Sequence, residues 1–294
     1  MGLLIMNSAQ LLRQHLAAPR MLVAPGAYDA IGARLIEQAG FSAVYMTGAG
    51  VSAARGYPDF GLLTMSEMVD SAASMARAIG IPLIADADTG YGNELNVART
   101  VREYEAHGVA AIHIEDQVSP KRCGHLEGKE VVSRTEFLSK IRAAVEARRA
   151  PEFTIIARTD ARAVLGLDEA IWRANAALDT GADMAFVEAT QTLEEVAAVP
   201  LKVKGPCLLN LVPGGRTPIL GLEAFESMGY RLAILPGLLL FAMIEAGDAA
   251  LSMVKRTSAS PSSNEPISEV FRRLGADEWE ALRSRYNLQS STVK

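Results

Sequence analysis

Short apolar runs at residues 21–24, 43–47, 83–88, 111–116, 154–160, 184–189, 207–212 and 232–236 alternate with stretches of helical spacing. The latter lie at 28–39, 66–79, 94–107, 134–149, 168–179, 193–199, 220–227 and 238–255. Apolar runs this short suit strands buried on both faces, whereas the longer stretches carry one apolar stripe each. Gly40, Gly80, Gly108 and Gly181 follow helical patterns where a left-handed cap belongs, and Pro82, Pro151 and Pro200 punctuate other helix-to-strand joins. Eight strands alternating with eight helices over ~250 residues is the count for a closed parallel (β/α)8 barrel of the TIM type. An open doubly wound sheet would show a glycine-rich dinucleotide turn after its first strand, and none is present. The barrel is expected to occupy residues 1–256. The remainder, 257–294, reads as a polar linker (257–264) and a helical tail whose Val270, Phe271, Leu274, Trp279, Leu282 and Tyr286 need a surface to cover.

Composition narrows the partners. A net charge of −5 gives no footprint for nucleic acid. Cys123 and Cys207 are the only cysteines, which is no disulfide framework and suits a reducing compartment. No secretory n-region precedes the first apolar residues, and Met6 stands where a myristoylation signal wants Ser or Thr. The longest apolar run, 232–244, contains Pro236 and Gly237 and is too short to span a bilayer. A soluble cytoplasmic protein that binds neither membrane nor nucleic acid is expected.

In a closed barrel, residues at the C-terminal strand ends face the site. Strand periodicity puts Tyr45 with Thr47, Asp86 with Asp88, His113 with Glu115, Arg158 with Asp160, Phe186 with Glu188, and Leu208 with Asn210 on shared faces. Gly48-Ala49-Gly50 reads as a turn that lets backbone approach a ligand closely. Aspartates and a glutamate without a thiolate–imidazole cage suit a hard cation, Mg²⁺ held partly through water or Mn²⁺ in its place. Carboxylates merely paired with Arg158 and Lys121 are the structural alternative. After the fourth strand, Lys121, Arg122 and His125 flank Cys123, and positive neighbours lower a thiol pKa. Gly124 and Gly128 let that loop move as a lid must. A passive exposed thiol is the bland alternative, and Cys207, opening an apolar run, reads as plain core.

The run His113-Ile114-Glu115-Asp116-Gln117, followed by Lys121-Arg122-Cys123-Gly124-His125, resembles the signature of the isocitrate lyase and phosphoenolpyruvate mutase superfamily. The likeness includes Tyr45-Met46-Thr47-Gly48-Ala49-Gly50, the segment from Asp86 to Gly92, Asn96 to Val101, Ile156 to Asp160 and Gly181-Ala182-Asp183, and runs from about Met21 to Ala250. It implies a barrel enzyme binding Mg²⁺ and a small α-oxo or α-hydroxy carboxylate, assembled as a homotetramer in which a C-terminal helix crosses to the neighbouring subunit. It further implies metal ligation by Asp86 and Asp88, with Asp59 and Glu115 acting through waters and His113 behind them. Cys123 would be the general acid of a carbon–carbon lyase, with Lys121 and His125 beside it and Tyr45 at or near the base. Thr47, Gly48, Ala49, Arg158, Glu188, Asn210, Arg216 and Pro236 would bind substrate.

Phosphonomutases and oxaloacetate decarboxylases of the superfamily lack the cysteine. Methylisocitrate lyases usually carry Arg-Pro-Asn after Cys-Gly-His, where this chain has Leu126-Glu127-Gly128. The segment Gly214-Gly215-Arg216-Thr217-Pro218 is more similar to the 2,3-dimethylmalate and 2-alkylmalate lyases. The expected reaction is therefore cleavage of a 2-hydroxy dicarboxylate such as 2,3-dimethylmalate to an α-keto acid and a short-chain carboxylate. Methylisocitrate cleavage to pyruvate and succinate comes next, then oxaloacetate decarboxylase or phosphonomutase chemistry, and last a non-catalytic barrel scaffold.

Overall fold

The computed structural model describes residues 6–259 and 265–287. Eight strands, β1 (Leu22–Ala27), β2 (Val44–Met46), β3 (Leu83–Asp86), β4 (Ala111–Glu115), β5 (Thr154–Thr159), β6 (Met184–Val187), β7 (Cys207–Asn210) and β8 (Leu232–Leu235), pair in parallel in chain order. β8 returns to β1, so the barrel closes and no edge strand is left open. Helix α1 (Ser8–Ala17) precedes it. The crossovers carry α2 (Ala30–Gln38), α3 (Gly48–Ala54), α4 (Met65–Ala78), α5 (Glu94–Ala106), α6 (Arg134–Ala147), α7 (Ala161–Leu165), α8 (Leu167–Asp179), α9 (Leu193–Lys202) and α10 (Leu222–Met228). After β8 come α11 (Leu238–Thr257), α12 (Ile267–Arg273) and α13 (Ala276–Asn287).

The barrel interior is a packed apolar plug. Ile84, Ile156, Met184, Phe186, Leu208, Leu232 and Ile234 fill it, and Ala9 and Leu12 of α1 join the same cluster. Larger clusters lie between the strands and the surrounding helices. Because the interior is closed by side chains, polar groups gather where the strands end, and register decides which of them meet. Asp86 stands beside His113, and Glu115 beside Arg158.

The described chain divides into two compact units, one through Phe241 and one from Ala242 onward. In the second, α12 and α13 pack on each other. Part of the expected linker, residues 260–264, lies outside the described residues. No described helix is long and apolar enough to cross a membrane.

Several local expectations need correction. Pro200 does not end a helix but lies inside α9, which runs to Lys202. The segment Gly48-Ala49-Gly50 is not a free turn: Thr47 caps it, its side chain accepting from Gly50 N–H, and it opens α3. The tail, by contrast, forms a helix pair as expected, α12 and α13 being separated at Gly275, whose φ of 94° lies in the left-handed region.

Candidate active site

A cavity of about 310 Å³ opens at the C-terminal ends of the strands, lined on its polar side by Tyr45, Asp86, Arg158, Glu188 and Asn210. Thr47 and Ala49 close one edge. The glycine before Ala49 is required: a Cβ on Gly48 would stand 2.5 Å from Asp86 Oδ2. Val212, Pro213, Pro236, Leu240 and Phe241 form an apolar wall. Asp88 (φ 45°) and Ala189 (φ 56°) follow β3 and β6 in the left-handed region, a strained state for non-glycine residues that is found where side chains must be re-aimed.

The carboxylates sit in unequal surroundings. Burial works against an ionised Asp86, yet His113, Lys121 and Arg158 hold it below the usual range. Burial pushes Asp88 up to about 6, with Asp86 and Asp59 adding to it against Lys121. Glu115 is driven well above the ordinary carboxylate range by burial, with Asp160 and Asp88 adding to it against Arg158 and Lys121. Lys121 pairs with Asp59 and lies 2.9 Å from Asp88 Oδ1. Although burial opposes its charge, Asp88, Asp59 and Glu115 raise its pKa well above the normal value. Asp88 Oδ1 and both oxygens of Glu115 have no aligned hydrogen-bond donor.

Among the described residues, no three His, Cys, Asp or Glu side chains converge on one preformed metal position. The donor chemistry nonetheless fits a hard divalent cation. All the donors are oxygens; three are buried with no aligned hydrogen-bond donor, although Lys121 lies beside Asp88 Oδ1 and Arg158 beside Glu115 Oε2, and a hard cation of this kind is commonly ligated partly through water. Buried carboxylate oxygens short of hydrogen-bond donors at one strand-end cluster are otherwise costly.

His113 is fully buried, its Nε2 2.8 Å from Tyr45 Oη and 3.6 Å from Asp86 Oδ1. Burial lowers it to about 4, so the imidazole is neutral near pH 7. The Tyr45 hydroxyl moves the other way: burial and then Asp86 raise it well above 10, so it keeps its proton.

The loop after β4 folds over this cavity and brings Cys123, Gly124 and His125 into its lining. Gly124 is obligatory, since a Cβ there would come within 2.6 Å of Arg158 Nη2 and Glu188 Cγ. His125 Nε2 lies 3.1 Å from Glu188 Oε1 and 3.4 Å from Asn210 Nδ2. Burial, then Arg158 and Lys129, lower its pKa against the pull of Glu188.

The thiol of Cys123 is not activated by its sequence neighbours as expected. Burial raises its pKa, and Asp59 and Glu188 add to that shift. Lys121 is engaged by Asp59 and Asp88, while the Arg122 guanidinium sits 5.9 Å over the Phe60 ring. Arg216 also differs from expectation: it does not line the cavity but bonds the lid, through Nε to the His125 carbonyl and through Nη2 to Glu127 Oε1.

Sequence reasoning passed over Lys129 and the apolar residues Leu240 and Phe241. The apolar pair lies just past Pro236-Gly237, a signal available in the sequence. Lys129 carries no such signal.

A parallel barrel with this strand-end set defines a class of enzyme. Residues 12–255 match the family described as phosphoenolpyruvate phosphomutase, and the chain belongs to that family. It is 52% identical over 232 residues to the 2,3-dimethylmalate lyase of Eubacterium barkeri, covering 79% of this chain and 80% of that protein. It is 43% identical over 240 residues to a 2-methylisocitrate lyase of Aeropyrum pernix, covering 82% of this chain and 77% of that one. A crystal structure of 2,3-dimethylmalate lyase, a member of the PEP mutase/isocitrate lyase superfamily, superposes with a TM-score of 0.92. That match has 39% identity and covers 96% of both chains.

Proposed function

We propose that this protein is a Mg²⁺-dependent carbon–carbon lyase that cleaves a 2-alkylmalate, 2,3-dimethylmalate or a near relative, to pyruvate or another α-keto acid and a short-chain carboxylate. The observation that carries the reading is the Cys123 thiol held by the lid over a cavity with one polar, Arg158-bearing wall and one apolar wall, burial raising the thiol's pKa. Arg158, Asn210 and the amides of the Thr47–Ala49 segment bind the carboxylate oxygens, a guanidinium being matched to a carboxylate in shape and charge. Val212, Pro213, Pro236, Leu240 and Phe241 receive the alkyl groups.

Tyr45, protonated at rest, hydrogen-bonds the substrate alcohol; it takes the alcohol proton as it passes its own to His113 Nε2, 2.8 Å away, leaving an imidazolium beside Asp86. As the O–H proton leaves, the C2–C3 bond breaks and its electron pair passes to C3, where the adjacent carboxylate stabilises it. C2 becomes the keto carbon. Cys123 then delivers its S–H proton to C3, the task for which a thiol of raised pKa is suited because it arrives protonated. Lys121 and His125, held by Asp59 and Glu188, keep charge balanced around that thiol. Asp86 and Asp88, with Asp59 and Glu115 through waters, would hold Mg²⁺, or Mn²⁺ in its place. When bound, the ion polarises the hydroxyl and orients its carboxylate.

Methylisocitrate is the second reading, favoured by the 43% identical relative. A third carboxylate needs its own cation, since burying it unpaired costs several kcal/mol. The cation available from the Gly-Gly-Arg segment, Arg216, is turned onto Glu127. Pyruvate release from 2-alkylmalates, methylisocitrate, isocitrate and oxaloacetate, assayed with Mg²⁺, tests the assignment. We expect the highest kcat/KM for a 2-alkylmalate and weak or no oxaloacetate hydrolysis. A higher value for methylisocitrate than for every 2-alkylmalate tested overturns the substrate, and no turnover at all favours a scaffold.

The assembly proposed is a homotetramer in which the C-terminal helices clasp a neighbouring subunit, supported by the exposure of Leu251, Ile267, Phe271 and Trp279. Deleting residues from 267 onward should lower the mass seen by light scattering. A cytoplasmic location fits a mechanism that needs a reduced Cys123.

A further inference from the structure

The lid is stitched at its base and clamped at its tip by different means. At the base, Gln117 and Val131 form an antiparallel bridge, Val118 N–H donates to the Glu130 carbonyl at 2.9 Å, and Val132 N–H to the Asp116 carbonyl at 2.8 Å. Between them the chain is held by side chains: the Gln117 amide brackets Arg122, Lys121 reaches Asp59 and Asp88, and His125 meets Glu188 and Arg216. The residue directly after Cys123 is fixed by Lys129. Its side chain is 2% exposed, and its ammonium donates to the Gly124 carbonyl and to Asp160 Oδ1 at 3.0 Å.

Asp160, fully buried at the end of β5, also accepts from Arg158 Nε at 3.0 Å and Nη2 at 3.3 Å. Arg158 already faces Glu115 Oε2 at 3.2 Å and Glu188 Oε2 at 3.7 Å. Without Lys129, Arg158 would be the nearest counter-ion of three buried carboxylates. A guanidinium so engaged has less to offer a fourth carboxylate, that of a substrate.

We propose that Lys129 is a positioning residue: it clamps the Gly124 carbonyl of the lid to Asp160, seating Cys123 over the cavity and sharing Asp160 with Arg158. The proposal rests on the lyase reading only in taking Cys123 as the acid. It assigns Lys129 no contact with the reacting atoms.

Two readouts on full-length Lys129→Met and Lys129→Gln test it. The first is the rate at which iodoacetamide alkylates Cys123, followed by peptide mass spectrometry with no substrate present. Loss of charged hydrogen bonds to the lid should raise that rate by at least about tenfold. The second is steady-state kinetics with Mg²⁺ and the best 2-alkylmalate. A displaced acid should lower kcat by ~10²-fold, with a smaller change in KM. In Lys129→Ala, ethylammonium should restore part of kcat, which a general loss of packing would not allow.

Alkylation within about twofold of the parent, or an unchanged kcat in an active parent background, overturns the clamp. If the parent cleaves no 2-alkylmalate, the substrate reading fails while the alkylation rate still judges Lys129. If the variants do not fold, acylation of the native parent decides. Lys129 should resist a small amine reagent while the exposed Lys202 and Lys204 react, and ready labelling of Lys129 overturns the proposal.

Discussion

Glu115 and Asp116 are consecutive, equally buried carboxylates that lead opposite lives. Glu115 faces the barrel mouth, 3.2 Å from Arg158 Nε, with neither oxygen aligned to a donor. Asp116 faces the outer wall. It accepts from Thr159 Oγ1 at 2.6 Å, Asp160 N–H at 2.8 Å and Arg173 Nη1 at 3.0 Å, and so ties β4, β5 and α8 together. Arg173 continues outward to Glu169, which Arg134 also grips. The outer network is closed, and each member has the partner its chemistry requires. The inner one is open, and its unspent oxygens are what a cation or substrate would use. Saturation of hydrogen bonds, rather than burial or charge, separates the outer carboxylate from the inner one to which the proposed function gives a role.

That contrast fails if an inner group holds the barrel up, or if an outer group runs the chemistry. The largest effect should come from Cys123→Ser, which should fold as the parent does yet lose ~10²–10⁴-fold in kcat, because a hydroxyl is the poorer acid. Turnover within about threefold of the parent removes the cysteine from the mechanism. On the outer face, Asp116→Ala should cost about 3–5 kcal/mol in denaturant unfolding, since it removes one of the two carboxylates on the buried Arg173 guanidinium and the acceptor of the Thr159 hydroxyl and the Asp160 amide. A loss of activity with unchanged stability would place Asp116 among the functional groups instead.

Much of this contrast is legible in the sequence. The eightfold alternation follows from strands buried on both faces and helices buried on one, and period-two reasoning separates Glu115 from Asp116. Helix α1 escaped because its ten residues include Gln10, Arg13, Gln14 and His15, although the Asn7–Gln10 capping box marks its start. Helix α3 hid behind Gly48-Ala49-Gly50, residues whose helical state depends on the Thr47 cap and the close approach to Asp86. The direction of the Cys123 shift is hidden from the sequence for a different reason. Its sequence neighbours are cationic, but burial raises it, and the acidic groups that add to the shift, Asp59 and Glu188, arrive from between α3 and α4 and from the end of β6. Lys129 is illegible in the same way, since its partner Asp160 is 31 residues along the chain.

A smaller effect is expected for Glu115→Gln. Neither Glu115 oxygen has an aligned donor to lose, and the carboxyl is already pushed toward its neutral form. Thermal or denaturant stability should stay within about 1 kcal/mol of the parent, because no satisfied hydrogen bond is broken. Mg²⁺-dependent turnover should fall. A stability loss as large as that of Asp116→Ala would erase the distinction between the two faces.

The smallest effect belongs to the outer end of the network and appears only in acid. The Arg134 guanidinium, then Arg173, hold the half-buried Glu169 down to about 2 against its partial burial. A carboxyl lowered by folding binds protons more weakly in the native state than in the unfolded chain. Its contribution to stability is therefore complete above the ordinary glutamate range and lost as pH falls through that range toward 2. In Glu169→Gln this part of the acid limb should flatten, while stability near neutral pH drops only slightly because Arg134 is exposed to water. Unfolding midpoints in urea at pH 3, 4, 5 and 7 read the difference between variant and parent. That difference should shrink as pH falls. If it is constant across the series, the Glu169–Arg134 pair contributes packing alone, and the closed outer network ends at Arg173.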